Sequence, residues 1–176
     1  MTEARVDKAG LSGVLRLTWV TDQLEHVIQH SQTDEPSGTW TGLACPAHGL
    51  AIGTDVDTGT LQHLAQGELA DLVWEAPPEL TAVHDNLCRA AIHAYQSGNQ
   101  APGEQLWHQA QNLWSQAWSA NQEVLALMQQ AGLTRFSTRK PQRWVVASFE
   151  HHSGPHGLTH PHIHNIVVTA LTTGPA

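Results

Sequence analysis

Two runs near the end of the sequence, "RWVVASFEHH" and "HIHNIVVTALTT", limit the fold more than any other part of the chain. Both are β-branched and apolar, and the Gly/Pro-rich "SGPHGLTHP" between them reads as a hairpin loop, so adjacent antiparallel strands are predicted. Residues two apart on a strand share a face. His162 and His164 therefore project together while Ile163 enters the core on the other side. His151 ends the partner strand, where hairpin geometry brings its ring beside the pair. Three neutral imidazoles at one spot leave positions open on a bound divalent ion, the arrangement of a reactive centre rather than a closed structural one. His152, His156 and His160, in the loop or facing away, are given no role.

The rest of the chain supplies a sheet and helices to hold that hairpin. "VLRLTWV" (14–20) alternates as a half-buried strand does. Asp22 with Glu25 three residues later forms a capping box for a short helix over 22–31, which carries His26 and His30. A loop-rich stretch through Pro36 and Gly38 leads to a short helix at "GTLQHLAQ", closed by Gly67. "LADLVWE" (69–75) is a strand stopped by Pro77-Pro78, which starts a helix with Leu80, Val83, Leu87, Ala91 and Ala94 on its apolar side. A longer helix over 104–131 places Trp107, Trp114, Ala117, Asn121, Val124 and Met128 along one side, a stripe read as core. The predicted class is α+β: an antiparallel sheet with strands at both ends of the chain and helices packed on one face of the sheet.

Composition narrows the function. Acidic residues outnumber basic ones sixteen to eight, which argues against a generic nucleic-acid binder. Four of the eight basic residues, Arg135, Arg139, Lys140 and Arg143, nonetheless fall in "RFSTRKPQR"; on charge alone this is a basic patch or a solvated loop. Cys45 and Cys88 offer neither a disulfide framework nor a Cys-x-x-Cys pair and read as buried thiols. No apolar run has the length of a membrane span and the first residues do not form a secretory signal, so a cytoplasmic protein is expected.

The residues also carry a resemblance. His151, ten residues, then His162-Ile163-His164, with Phe149 two before the first histidine and Pro161 before the pair, resembles the HUH motif of conjugative relaxases of the TrwC/TraI type. "DLVWEAPPE" from Asp71 is similar to that family's "DLTFSAPKS" strand, and "VHDNLCRAAIHA" to its "AHxxAVxxAV" stretch. Upstream, "WTGLACPAHGLAIGTDVDTGTLQHLAQGE" is similar to the pattern W-x-G...LGL-x-G-x-V-D...L-x-x-L-x-x-G. The likeness runs in order from about Trp40 to about Thr173.

The resemblance implies a relaxase with the two HUH hairpin strands central in its sheet: metal-dependent nicking and strand transfer of single-stranded DNA at a plasmid transfer origin, through a covalent protein–DNA intermediate. It implies a divalent ion on His151, His162 and His164, Mg²⁺ or Mn²⁺ first and Zn²⁺ as a further option, with Asp71 accepting the outer N–H of a ligand histidine. It implies conjugation machinery as a partner, phosphate contacts from Arg135, Arg139, Lys140 and Arg143, and one relaxase-like domain over 1–176, incomplete at its C-terminus.

Two departures matter. The family's nucleophilic tyrosines belong upstream of Trp40, where this chain has none; its one tyrosine is Tyr95, and "LEHVIQHSQ" offers His26 and His30 as nucleophiles instead. The family's Lys-Ser becomes Pro78-Glu79, a negative side chain near a phosphate site. Two alternatives stay open: an inactive DNA- or metal-binding remnant of a relaxase, and a histidine-triad nucleotide hydrolase or transferase with His162 as nucleophile.

Overall fold

The computed structural model of the chain describes residues 2–8, 11–20, 37–64, 69–131, 143–153 and 159–168, and the side chains of these from 37 onward apart from 152, 153, 159 and 160. Six antiparallel strands form one sheet: β1 (Thr2–Lys8), β2 (Leu11–Val20), β3 (Thr39–Trp40), β4 (Leu69–Glu75), β5 (Val145–Ser153) and β6 (Thr159–Val168), in the spatial order β1-β2-β4-β6-β5-β3. The histidine hairpin β5–β6 lies inside this sheet, with β4 outside β6 and the two-residue β3 outside β5. The predicted strand 69–75 is present with those bounds. The hairpin strands run further into the connection than the Gly/Pro content suggests, since Ser153 pairs with Thr159 across a register shift. The β1–β2 hairpin was not anticipated. The predicted helix over 22–31 lies outside the described residues.

The helices are α1 (Thr58–Leu64), α2 (Pro78–Gln96) and α3 (Gln100–Ala131), with a 3₁₀ turn at Cys45–His48. Pro78 sits at the first turn of α2, where its fixed φ suits the helix and its missing N–H costs nothing. Gly98, at φ +76°, ends that helix, and α3 returns across it with Gly103 tight against the Tyr95 ring. With 32 residues, α3 is about 48 Å long at 1.5 Å per residue.

Period-2 alternation divides the sheet residues between two cores. Ala70, Leu72, Trp74, Val146, Ile163 and Val167 face Leu80 of α2 and Trp114, Ala117, Val124 and Leu125 of α3. On the other face, Leu69, Val145, Ala147, Phe149, Ile166 and Val168 lie under Trp40, Ala44, Cys45 and Leu61. The tryptophan stripe is only partly core: Trp114 is buried, whereas Trp107 is 42% exposed on the outer side of the helix pair. On α2, His84 takes the inward position expected of Val83, its ring centroid 6.1 Å from that of Trp114, and Val83 is 51% exposed.

Two polar clusters fix the parts. Asn165 of β6 and Asn121 of α3 exchange amide hydrogen bonds of 3.0 Å, while Asn165 also donates to the Leu72 carbonyl and accepts from Ser148. Gln129 of α3 accepts from the backbone N–H groups of Leu43 and Trp144, which ties the segment after β3 and the start of β5 to the helix. Gly42 is needed where it stands, because a Cβ there would collide with the Trp144 carbonyl oxygen. Among the described residues, no helix is long and apolar enough to cross a membrane.

Candidate metal centre

The site forms on the sheet face opposite α2 and α3, the face that also carries Leu69, Phe149 and Ile166. The register produces it directly. His151 of β5 pairs with His162 of β6, and Phe149 pairs with His164, so the three imidazoles share one face and one end of the hairpin. Their ring centroids lie 5.3, 4.8 and 4.9 Å apart, and each ring offers one nitrogen, all within 4.8 Å of one another. His151 is buried, and His162 and His164 are half-buried. Ile163, between the paired histidines, is wholly buried in the helix-side core. The alternation read from "HIH" is therefore present, and its core side fixes which way the histidines point.

Asp71 holds this cluster from β4. Its Oδ2 accepts from His164 Nδ1 at 2.6 Å, although the residue paired with Asp71 in the register is Ile166, so the contact runs diagonally across the strands. Asp71 is 5% exposed, and among the described residues its Oδ1 is buried with no hydrogen-bond partner. A carboxylate on Nδ1–H leaves His164 Nε2 with its lone pair. The donor chemistry thus fits a metal ion: the three histidines could hold one, and one of them has its tautomer fixed from behind.

The sequence reading missed Glu75. It occupies the same face of β4 as Asp71, four residues on, and is the register partner of His162. The signal was present in the period-2 spacing of the two acids, but only the pairing of β4 with β6 gives it meaning.

Other candidates stand apart from this cluster. Arg143 is exposed at the opposite end of β5 from His151, eight residues or about 27 Å away at 3.4 Å per residue. It does not join the histidines. Arg135, Arg139, Lys140, His26 and His30 lie outside the described residues. Tyr95 packs on Gly103 in the helix layer, across the sheet from the site. Cys88 of α2 has its sulfur 3.8 Å from His84 Nε2, and burial, with the negative charge of Asp85, pushes its thiol up. Cys45 is buried as expected.

Comparison with known proteins gives the same fold. No protein-family model and no curated protein matches the chain. Several solved structures do, two of them relaxase complexes with DNA. One, the conjugative relaxase TrwC in complex with OriT DNA in a metal-free form, has a TM-score of 0.50 at 14% identity over 89% of this chain and 56% of that one. The other, TrwC with a 27-mer DNA comprising the recognition hairpin and the cleavage site, has a TM-score of 0.50 at 15% identity over 92% of this chain and 58% of that one. The chain thus spans a little over half the length of the structures it matches. Over about nine-tenths of its own length it has the fold of the TrwC relaxase, with the α+β sheet and antiparallel histidine hairpin that its sequence implied.

Proposed function

We propose that the chain is a relaxase-like domain that binds single-stranded DNA at a transfer origin and carries out nicking and strand transfer with a divalent ion held by His151, His162 and His164. The observation that carries this reading is the convergence of those three rings, with Asp71 on His164, in a fold shared with a DNA-bound relaxase. When bound, the ion would supply positive charge against the negative charge of a scissile phosphate. The all-nitrogen donor set favours a first-row ion such as Mn²⁺ or Zn²⁺ over Mg²⁺, which prefers oxygen ligands. Conjugation machinery is the corresponding partner and the cytoplasm the corresponding compartment.

His30, or His26, is the proposed nucleophile. Attack by a ring nitrogen forms an N–P bond to the phosphate and breaks the P–O3′ bond, and the departing 3′ oxygen takes up a proton. Support comes from where the described chain resumes after the segment. Val20 pairs with Leu69 at the sheet end remote from the histidines. Thr39 pairs with Ser148, and antiparallel pairing brings the chain into β3 from the His151 end. The described chain thus resumes on the His151 side of β3, while His26 and His30 themselves lie outside the described residues.

The second reading, a DNA-binding domain without nicking activity, is favoured by one observation: the chain's single tyrosine lies across the sheet from the histidines. The histidine-triad alternative draws no support from the comparisons. The test is incubation with single-stranded oligonucleotides tiled across the transfer origin of the DNA that encodes the chain, with Mn²⁺, followed by a denaturing gel. A covalent adduct that is lost in His162→Ala and in His30→Ala, and that hydrolyses in acid but survives base as an N–P bond does, supports the histidine nucleophile. Retention of DNA with no adduct leaves the binding domain.

A further inference from the structure

We propose that Glu75 is a second positioning carboxylate of the histidine centre, accepting a ring N–H of His162 as Asp71 accepts that of His164. The inference rests on the metal-holding reading of the cluster and extends it to a residue where the resembled strand pattern "DLTFS" carries serine. Three observations lead to it. Asp71 and Glu75 are separated by one intervening same-face residue, Val73, so both project to the histidine side of β4. Glu75 is the direct cross-strand partner of His162, a relation that places Cβ atoms about 5 Å apart, well within the reach of a glutamate side chain. Glu75 is also half-buried rather than solvated, and its carboxylate lies outside the three-residue group whose donor atoms converge, so it acts behind the ring and not as a fourth ligand.

The consequence is a paired device. Each histidine of the H-x-H pair has its own carboxylate from a single neighbouring strand, Glu75 directly opposite His162 and Asp71 one same-face step diagonal to His164. A ring held this way keeps one tautomer, which presents the other nitrogen's lone pair to an ion.

The test separates this proposal from the reading beneath it. In the full chain without metal, the proton-bearing nitrogen of each histidine is read from long-range ¹H–¹⁵N spectra, for wild type, Glu75→Gln, Glu75→Ala and Asp71→Asn. Glu75→Gln and Glu75→Ala should change the tautomer balance at His162 and leave His164 unchanged, and Asp71→Asn should do the reverse. In a Mn²⁺ titration Glu75→Gln should weaken affinity by about ten- to a hundredfold, and Glu75→Asp should recover part of it. An unchanged His162 spectrum in both Glu75 variants overturns the proposal even if Mn²⁺ binds. A wild-type chain that does not bind Mn²⁺ overturns the metal reading, and the tautomer shift still decides whether Glu75 holds His162.

Discussion

Asp71→Asn is the most direct perturbation of the centre, because it keeps the shape of the side chain and removes only its charge. In the native chain a buried carboxylate oxygen lies 2.6 Å from His164 Nδ1, a short, charge-assisted hydrogen bond. Such bonds contribute roughly 1.5–3 kcal/mol net, against about 0.5–1.5 kcal/mol for neutral ones. An asparagine that presents its oxygen keeps a weaker bond. One that presents its NH₂ group requires Nδ1 to accept, which moves the ring proton to Nε2 and blocks the nitrogen that faces the cluster. The first outcome alone removes about 1–1.5 kcal/mol, close to tenfold, and the second adds the cost of restoring the tautomer. The expected result is Mn²⁺ affinity lowered by about ten- to a hundredfold. Calorimetric titration at fixed pH measures it, with far-ultraviolet circular dichroism showing that the sheet is retained. The variant should not lose much thermal stability, since the substitution also removes a buried charge whose second oxygen has no partner among the described residues. Affinity within twofold of wild type would refute the reasoning that Asp71 acts on the ion through His164.

The remaining predictions address the frame around the site. Asn121→Ala breaks a reciprocal pair in which both residues are fully buried, and leaves Asn165 short of one donor and one acceptor; urea denaturation should show a loss of roughly 1–3 kcal/mol. Gly42→Ala drives a Cβ into the Trp144 carbonyl and should cost about 1–3 kcal/mol or more in the same assay, whereas Ala47→Gly in the neighbouring 3₁₀ turn, at an exposed position, should cost much less. The Cys88 thiol is held up by burial and then by Asp85, so at pH 8 it should alkylate more slowly than a free thiol. Its rate should keep rising at pH values where the free thiol has levelled off, and Asp85→Asn should shift the profile downward; buried Cys45 stays silent in the native chain.

What the sequence disclosed depended on how local the determining physics was. The H-x-H face, the strand at 69–75 and the helix start at Pro78 follow from alternation and proline chemistry within a few residues. The strand Thr2–Lys8 was hidden because "TEARVDK" mixes charges with small apolar residues and has no strong alternation to announce it. The two-residue strand Thr39–Trp40 exists through distant contacts, with Gly38 under the Phe149 ring and Gly42 against Trp144. Helical spacing placed Val83 and Trp107 inside, but a stripe can rotate by one residue without changing its pattern, and the partner helix decides which residue packs. The burial of Asp71 needed the resemblance, and the position of Glu75 needed the cross-strand register.

The sheet order bears on how the centre is assembled during folding. All three histidines belong to one hairpin, with His151 and His162 only eleven positions apart, whereas the Asp71–His164 contact spans 93 residues. Loop closure favours the hairpin first, and the insertion of β4 beside β6 waits for long-range pairing. The ligand set therefore precedes its anchor. An ion captured by the nascent hairpin would hold β5 and β6 in register while β4 docks, so refolding in Mn²⁺ should run faster than refolding in chelator. In Asp71→Asn that acceleration should persist while the final affinity falls, because the early step uses only residues that are neighbours in sequence.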